Sequence, residues 1–236
     1  SMVSLVLSGS GLSSSAAYEV LIGTILNYLY NDGKISAVEI ACISQYAENV
    51  YFKKPCGLMD QTACSVGGFV QIDFKDTKNP VINKVDFNLD EFDHALCIVD
   101  TGGNHADLTD DYAAIRLEMN SVAEFFGKSV LREVEPSEVF EKMGEIRKKT
   151  GDRALERAIH FYNENSRVER LAAALDKKNF DEFKSIIIES GKSSYMYNQN
   201  VYTTRTPGSQ PVSVALAICQ DVLNGKGAWR VHGGGF

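Results

Sequence analysis

A ten-residue segment rich in glycine and serine lies between two apolar stretches near the start of the chain. Over residues 8–17 it contains two glycines and five serines. Glycine lets a backbone turn sharply and approach a ligand closely, and the N–H groups at the start of a helix attract phosphate. Because a helix-forming sequence follows over residues 18–30, the segment favours a strand–loop–helix unit that binds a nucleotide. Composition alone also allows a flexible Gly/Ser linker.

This segment differs from the two most familiar nucleotide-binding loops. The lysine of the G-x-x-x-x-G-K-[ST] pattern is absent, and the glycines do not follow the G-x-G-x-x-G spacing. Serine hydroxyls can donate hydrogen bonds to phosphate oxygens or ligate Mg²⁺. The residues therefore indicate a phosphate ligand without identifying either of those two folds.

The composition excludes several classes of protein. With 236 residues and 44% hydrophobic content, the chain can bury a substantial core. The net charge of −7 argues against binding to nucleic acids and anionic membranes, and no apolar run is long enough to span a membrane. Five cysteines without a C-x-x-C pair are typical of reduced thiols, which predicts a cytoplasmic protein. Ser1 before Met2 reads as the remnant of a cleaved tag.

Periodicity of apolar residues predicts a mixture of helices and strands. Helices are expected over 16–31, 37–50, 58–65, 109–126, 136–148, 154–163, 167–175, 180–192 and 212–224. Strands are expected over 2–7, 69–74, 81–87, 95–99 and 227–231, with the second and third paired. This order predicts an α+β fold with helices layered on antiparallel sheets. A composition shift at residues 88–94 predicts two domains, 1–93 and 94–236.

Asp60 is the best candidate for a catalytic residue. It follows a Pro-Cys-Gly corner over residues 55–57, where the backbone can present a carboxylate to a cavity. Its apolar neighbours, Leu58 and Met59 among them, predict a desolvated carboxylate. Such a group can accept a proton from a substrate hydroxyl during phosphoryl transfer. The alternative is an acid at a helix start that only interacts with the helix dipole.

Two further groups of acids invite a metal interpretation. Glu48 lies near the end of the helix predicted over 37–50, where the helix dipole disfavours an acid, so a metal ligand is one interpretation and a solvated side chain the other. Asp100, Asp107, Asp110 and Asp111 flank a glycine pair, but their spacing fits no EF-hand. For these four, a solvated loop and helix start is the simpler prediction.

Three segments in this order resemble motifs of the GHMP kinase superfamily, specifically of galactokinases. Residues 9–17 resemble that family's phosphate loop, and residues 55–61 resemble the segment that carries its catalytic aspartate. Residues 231–236 resemble the beginning of its third, glycine-rich motif.

Weaker similarities lie between these motifs. Residues 100–116 resemble a stretch with a sugar-contacting tyrosine, and residues 153–154 and 164–167 resemble the family's helical middle. The resemblance implies a GHMP kinase fold. Its N-terminal part would be a partial ribosomal-protein-S5-domain-2-like unit that binds ATP, followed by a ferredoxin-like C-terminal domain with extra helices.

The resemblance also implies an activity and residue roles. The activity is ATP-dependent phosphorylation of a sugar, with galactose the leading substrate, at its anomeric hydroxyl, and Asp60 would accept that hydroxyl's proton. Mg²⁺ would be held by Glu48 with Ser14 or Ser15, and the sugar would be contacted by Gly57, Asp60 and Tyr112. ATP phosphates would be bound by Gly9, Ser10, Gly11, Leu12, Ser13, Ser14, Ser15, Ala16, Gly233 and Gly234.

The chain departs from the family pattern at both ends. The family carries a Gly-Glu-His-x-Asp-Tyr sugar motif before its phosphate loop and continues beyond its third motif, so we expect a chain truncated at both ends. A kinase-derived sugar- or nucleotide-binding regulator, or an inactive fragment, is the alternative to an enzyme. Loss of amino-terminal strands would leave a sheet edge open, which predicts self-association through that edge.

Overall fold

A computed structural model describes residues 13–53, 56–76, 79–102, 108–232 and 235 of the chain. The chain divides into two units, Ser1–Asn88 and Leu89–Phe236, and each is described by itself. Helices dominate both units, and the sheet lies in the first, in agreement with the predicted α+β class. None of the helices formed by the described residues is both long and apolar enough to span a membrane.

The first unit is built from three packed helices and a hairpin. Its elements are α1 (Ser14–Tyr30), α2 (Ala37–Tyr46), a π-helical turn (Ala47–Tyr51), α3 (Met59–Val66), β1 (Phe69–Asp73) and β2 (Val81–Val85). Helix α2 begins with the capping box that its sequence predicts: Ser36 Oγ accepts from the Glu39 N–H, and the Ser36 N–H donates to the Glu39 carboxylate. Buried apolar side chains from all three helices or their approaches form the core: Ala16, Val20, Ile40, Ala41 and Leu58.

The two strands pair as the alternating sequence predicts. They are antiparallel, with Phe69 opposite Val85 and Asp73 opposite Val81. The aromatic rings of Phe69 and Phe87 meet edge to face, with centroids 5.1 Å apart, at the open end of the hairpin. The hairpin follows α3 directly and so fixes the end of the helix that carries Asp60.

The second unit is helical in its described part. Its helices are α4 (Thr109–Phe125), α5 (Pro136–Glu141), α6 (Met143–Thr150), α7 (Asp152–Asp176), α8 (Phe180–Ser193) and α9 (Pro211–Leu223), with a π-helical turn at Ser194–Asn198. A core cluster lies between α4, α5, α6 and α7 and includes Val122, Ala123, Leu131, Val134, Val139, Ile146, Ala154, Leu155 and Ala158. A smaller cluster of Val201, Leu216 and Val231 packs against Trp229.

Helix α7 is longer than the sequence predicted. Two helices were expected over 154–163 and 167–175, but one helix runs through all 25 residues. The intervening Glu164 and Arg167 form an i,i+3 ion pair at 3.0 Å. Since the polar stretch contains neither glycine nor proline and carries its own ion pair, it continues the helix instead of breaking it.

Two of the predicted strands are wrong within the described residues. Neither residues 95–99 nor residues 227–231 form a strand. Leu96, expected in a buried strand, is 78% exposed, and Ile98 is 50% exposed. A strand is defined by hydrogen bonds to a neighbour, and no described residue pairs with either segment. The apolar run over residues 95–99 was therefore not sufficient to form a strand.

The buried side chain of His160 predicts that the second unit is sensitive to acid. It is 7% exposed, its Nδ1 lies 2.9 Å from Ser193 Oγ, and burial lowers its pKa to about 4. Glu164 raises this pKa, whereas Arg167 and Arg230 lower it further. The unfolded chain therefore takes up a proton near the ordinary value of 6.5 and the folded chain only near 4. We expect the free energy of unfolding to fall as the pH is lowered through this window.

Urea unfolding of His160→Gln and of the parent protein checks this expectation. The substitution should flatten the dependence of unfolding free energy on pH between about 6.5 and about 4. His94→Gln is the matched control, because backbone carbonyls raise the pKa of His94 and its contribution has the opposite sign. An unchanged slope in His160→Gln would contradict the assignment of the acid sensitivity to this residue.

Candidate active site

Ser13 at the start of α1 has an unusual backbone and an unusual hydrogen bond. Its φ and ψ are 55° and 51°, in the left-handed region that serine seldom occupies. A serine before a helix usually accepts from an N–H of the first turn, but Ser13 makes no such cap. Instead its Oγ donates to Asp60 Oδ2 at 2.6 Å. The strained backbone thus turns this hydroxyl away from its own helix and toward α3.

Asp60 lies in the first turn of α3, 47 residues from its hydrogen-bond partner Ser13. Leu58 anchors the start of the helix in the core, whereas Met59 is 56% exposed. Asp60 itself is exposed, so the expectation of a desolvated carboxylate is wrong. Its position brings the predicted catalytic acid to the predicted phosphate-binding segment, and its Oδ1 accepts no hydrogen bond from the described residues.

Glu48 is buried, which contradicts its interpretation as a solvated side chain. Glu48 is 3% exposed, and its Oε2 accepts a hydrogen bond from Gln61 Nε2 at 2.9 Å. The helix expected over 37–50 ends at Tyr46 and continues as the π-helical turn that carries Glu48. Such turns often occur at functional sites, because the extra residue redirects a side chain. The turn here directs a carboxylate into the interior of the first unit.

The thiol of Cys56 completes the surroundings of Glu48. Cys56 Sγ lies 3.4 Å from Glu48 Oε2. Burial raises the pKa of the Cys56 thiol, and the hydrogen bond to Glu48 raises it further. The thiol therefore stays protonated at neutral pH and can donate to the carboxylate.

Side chains from α2 and the π-helical turn hold the corner before α3. The Cys56 N–H donates to Asn49 Oδ1 at 2.7 Å, and the Cys56 carbonyl accepts from Gln45 Nε2 at 3.3 Å. Gly57 follows in an exposed position, and a Cβ added there would meet no atom within 4 Å. Open space thus lies beside the residue for which a sugar contact is predicted.

Some of the other residues predicted to bind phosphate are described by the structure, and the rest are not. Ser14 is exposed, Ser15 is half-buried and Ala16 is buried in the core. The predicted phosphate contacts of Gly9, Ser10, Gly11, Leu12, Gly233 and Gly234 lie outside the described residues. Among the described residues, no group of three or more histidine, cysteine, aspartate or glutamate side chains could hold a metal ion.

In the second unit, Tyr112 on α4 contacts the glycine-rich segment. Its hydroxyl donates to the carbonyl oxygen of Gly235 at 2.5 Å, and desolvation raises its pKa above the ordinary value. Arg116, one turn along the helix, is exposed. Tyr112, predicted to contact a sugar, is thus bound to protein backbone.

The acidic side chains at the start of α4 bind protein groups. Asp111 Oδ2 accepts from Thr203 Oγ1 at 3.1 Å and lies 3.5 Å from Arg205 Nε. Arg205 also lies 3.3 Å from Asp110. Asp100 Oδ1 accepts from the Gly102 N–H and closes a local turn. Asp100, Asp110 and Asp111 therefore have structural roles in hydrogen bonds and ion pairs. Asp107 lies outside the described residues.

The sequence analysis did not identify Gln61 as a partner of Glu48. Gln61 is 1% exposed, and its amide joins the Glu48 carboxylate across the first unit. The position of Gln61 next to Asp60 was a signal that it could belong to the site. Glutamine side chains are mostly exposed, however, so burial of Gln61 was not expected. Only the packing of α3 against α2 reveals the contact.

Comparisons with known proteins agree with the motifs. Residues 2–68 match the family described as GHMP kinases N terminal domain. The galactokinase of Actinobacillus pleuropneumoniae serotype 3 (strain JL03) is 30% identical over 235 residues, which cover 100% of this chain. Residues 2–68 belong to the GHMP kinase N-terminal domain family, and the chain is similar to galactokinases along its whole length. The resemblance stated from the sequence is therefore confirmed.

The similarity to GHMP kinases covers part of each relative. The galactokinase of Clostridium tetani (strain Massachusetts / E88) is 34% identical over 194 residues, 77% of this chain and 46% of that protein. The chain spans 58% of the Actinobacillus relative. The crystal structure of Lactococcus lactis galactokinase complexed with galactose matches with a TM-score of 0.64 at 20% identity, over 92% of this chain and 53% of that one. This match shows that the fold is shared.

Proposed function

We propose that this protein is a sugar kinase that transfers the γ-phosphate of ATP to the anomeric hydroxyl of galactose or a related sugar. The observation that carries the proposal is the 2.6 Å hydrogen bond from Ser13 Oγ to Asp60 Oδ2. It joins the end of a segment suited to phosphate to a carboxylate suited to accept a proton. The similarity of the whole chain to galactokinases supports the choice of sugar.

In this proposal, the start of α1 holds the phosphates of ATP. Backbone N–H groups of residues 9–16 would donate to phosphate oxygens at the positive end of the helix dipole. Ser13 does not cap the helix with its own side chain, so its hydroxyl does not compete with phosphate for those N–H groups.

Asp60 acts on the sugar in this proposal. Ser13 holds Oδ2, and Oδ1 would accept the proton of the anomeric hydroxyl as its oxygen attacks the γ-phosphorus. The bond between the γ-phosphorus and the bridging oxygen breaks, and ADP leaves with that oxygen. Positioning and charge neutralisation supply most of the acceleration in such reactions. Gly57, which lies beside open space, would contact the sugar.

Mg²⁺ would neutralise charge on the transferred phosphate. Proteins hold Mg²⁺ through one or two carboxylates, with substrate phosphates and water as the remaining ligands. The buried Glu48 carboxylate fits this chemistry, and Ser14 or Ser15 would add a hydroxyl. The amide of Gln61 orients the Glu48 carboxylate through Oε2.

Replacing Glu48 with glutamine tests the metal role. The variant keeps the side chain's shape and is expected to raise the Mg²⁺ concentration for half-maximal binding of an ATP analogue by about tenfold or more. Calorimetric titration at several Mg²⁺ concentrations measures the shift. Asp32→Asn is the control, because it removes the negative charge of an exposed carboxylate in the same unit that pairs with Lys34 and lies outside the proposed site. An unshifted Mg²⁺ dependence in Glu48→Gln would exclude this carboxylate as a ligand.

The activity itself is tested by ADP release from ATP across a panel of hexoses. The assay uses the protein as its gene encodes it. Release that depends on galactose or a close relative supports the kinase. Binding of sugar and nucleotide without release would contradict it and fit a kinase-derived regulator.

A cytoplasmic location and self-association through a sheet edge stay predictions.

A further inference from the structure

One oxygen of the buried Glu48 carboxylate forms a triangle with two donor atoms of the first unit. Glu48 Oε2 accepts from Gln61 Nε2 at 2.9 Å and from Cys56 Sγ at 3.4 Å. The third side of the triangle is a hydrogen bond from Gln61 Nε2 to Cys56 Sγ, also at 3.4 Å. Side chains of the π-helical turn, of the corner before α3 and of α3 itself therefore meet at a single carboxylate oxygen.

Both donors of the triangle are held in place. The Cys56 N–H donates to Asn49 Oδ1 at 2.7 Å, and its carbonyl accepts from Asn49 Nδ2 at 3.4 Å. Asn49 follows Glu48 in the π-helical turn, so one turn carries the carboxylate and also holds the residue that supplies the thiol. Gln61 is 1% exposed and fixed by the packing around it.

Packing alone does not explain a glutamine at position 61. With Nε2 directed at the carboxylate, Gln61 Oε1 is buried and accepts no hydrogen bond from the described residues. A buried carbonyl oxygen without a donor costs free energy, and an apolar side chain of similar size would avoid that cost. The glutamine is therefore better explained by what its amide does to Glu48.

The triangle limits how Glu48 can bind a cation. Each oxygen of a carboxylate offers about two lone-pair sites, and two donors already occupy those of Oε2. Mg²⁺ has six ligands in a near-ideal octahedron and keeps several waters, so one carboxylate oxygen suits it. Ca²⁺ takes six to eight oxygen ligands and often binds both oxygens of one carboxylate.

We propose that Cys56 and Gln61 are positioning residues that occupy Oε2 of Glu48, restrict the carboxylate to one metal-binding oxygen and thereby favour Mg²⁺ over Ca²⁺. This inference rests on the proposed function, which assigns Mg²⁺ to Glu48. Cys56 and Gln61 act through the carboxylate and bind neither the metal nor a substrate.

Gln61→Met and Cys56→Ala test the proposal on the protein as its gene encodes it. Calorimetry measures binding of the non-hydrolysable nucleotide AMP-PNP with Mg²⁺ and, separately, with Ca²⁺. Both variants should lose about tenfold in affinity with Mg²⁺, because removing a hydrogen-bond partner of a metal ligand has an effect of this size. Affinity with Ca²⁺ should change less, because the released oxygen can join its coordination, so the preference for Mg²⁺ should fall.

Two further variants serve as controls. Cys56→Ser keeps a donor beside Oε2 and should retain more of the preference for Mg²⁺ than Cys56→Ala. Cys42→Ala makes the same change at an exposed cysteine of α2 and should leave the preference at the parent value. Melting temperatures of all variants show whether a loss of affinity follows a loss of stability.

Two results would overturn the proposal. One is an unchanged preference for Mg²⁺ in both Gln61→Met and Cys56→Ala. The other is an equal loss of affinity with both ions together with a lower melting temperature, which would make the triangle a support for the fold.

The failure of this inference can be distinguished from the failure of the kinase assignment. If the parent binds AMP-PNP with Mg²⁺ but phosphorylates no hexose, the kinase assignment fails, while the preference for Mg²⁺ still decides this inference. If nucleotide binding by the parent depends on neither ion, this inference fails, while ADP release still decides the kinase assignment.

Discussion

Replacing Asp60 with asparagine is expected to lower kcat for sugar phosphorylation about a thousandfold. Asparagine keeps the shape of the side chain and can still bind Ser13 Oγ, which lies 2.6 Å from the carboxylate. It cannot accept a proton from the sugar hydroxyl, so the loss falls on the chemical step. Steady-state kinetics with ATP and galactose measure the change, and calorimetry should show nucleotide affinity close to that of the parent.

Ser13→Ala is the control for Asp60→Asn. It leaves the carboxylate in place and removes the hydroxyl that holds Oδ2, so kcat should fall by only about tenfold as orientation is lost. Equal activity of Asp60→Asn and the parent would contradict the role of Asp60. If both variants lose activity because they no longer fold, as measured by circular dichroism, the hydrogen bond between Ser13 and Asp60 has a structural role instead of a catalytic one.

Replacing Glu118 with glutamine is expected to lower the free energy of unfolding by about 3 kcal/mol, because it leaves a buried charge with a weaker partner. Glu118 lies on α4 and binds two arginines of α7: Arg153, and Arg157 Nη1 at 2.9 Å. The Arg157 residue is 1% exposed, and burial lowers the pKa of its guanidinium. Its Nε also donates to the Asn198 carbonyl, at 3.0 Å. Urea unfolding measures the loss.

Glu124→Gln on the same helix is the matched control for Glu118→Gln. Glu124 is exposed, so the same change of charge should cost less than about 0.5 kcal/mol. If the two variants unfold at the same urea concentration, the Glu118–Arg157 contact does not stabilise the packing of α4 on α7. A difference of the expected size attributes the loss to the buried charge.

Local signals in the sequence predicted most helices of the fold. The capping box at Ser36 and Glu39 located the start of α2, and alternation located β1 and β2. The errors occurred where structure depends on distant partners. Residues 95–99 read as a buried strand, yet a strand needs a neighbour, and none of the described residues provides one. Helix α7 was divided because its i,i+3 ion pair was not recognised as a continuation of the helix.

The candidate site was predicted residue by residue but not in its contacts. Local sequence patterns drew attention to Asp60 and Glu48, and the Gly/Ser segment and its motif resemblance drew attention to Ser13. Their exposure went against expectation, because the aspartate is exposed and the glutamate is buried. Burial depends on how α1, α2 and α3 pack, which no local pattern encodes. The left-handed backbone of Ser13 and the amide of Gln61 were invisible for the same reason.

Phosphorus NMR of the reaction with ATP and galactose tests most directly whether the site at Ser13 and Asp60 phosphorylates a sugar. The predicted result is loss of the γ-phosphate signal with an equal gain of a sugar phosphate whose phosphorus couples to the anomeric proton. In Asp60→Asn that signal should be nearly absent over the same time. Formation of free phosphate alone, or of the sugar phosphate at the parent rate in Asp60→Asn, would contradict the account.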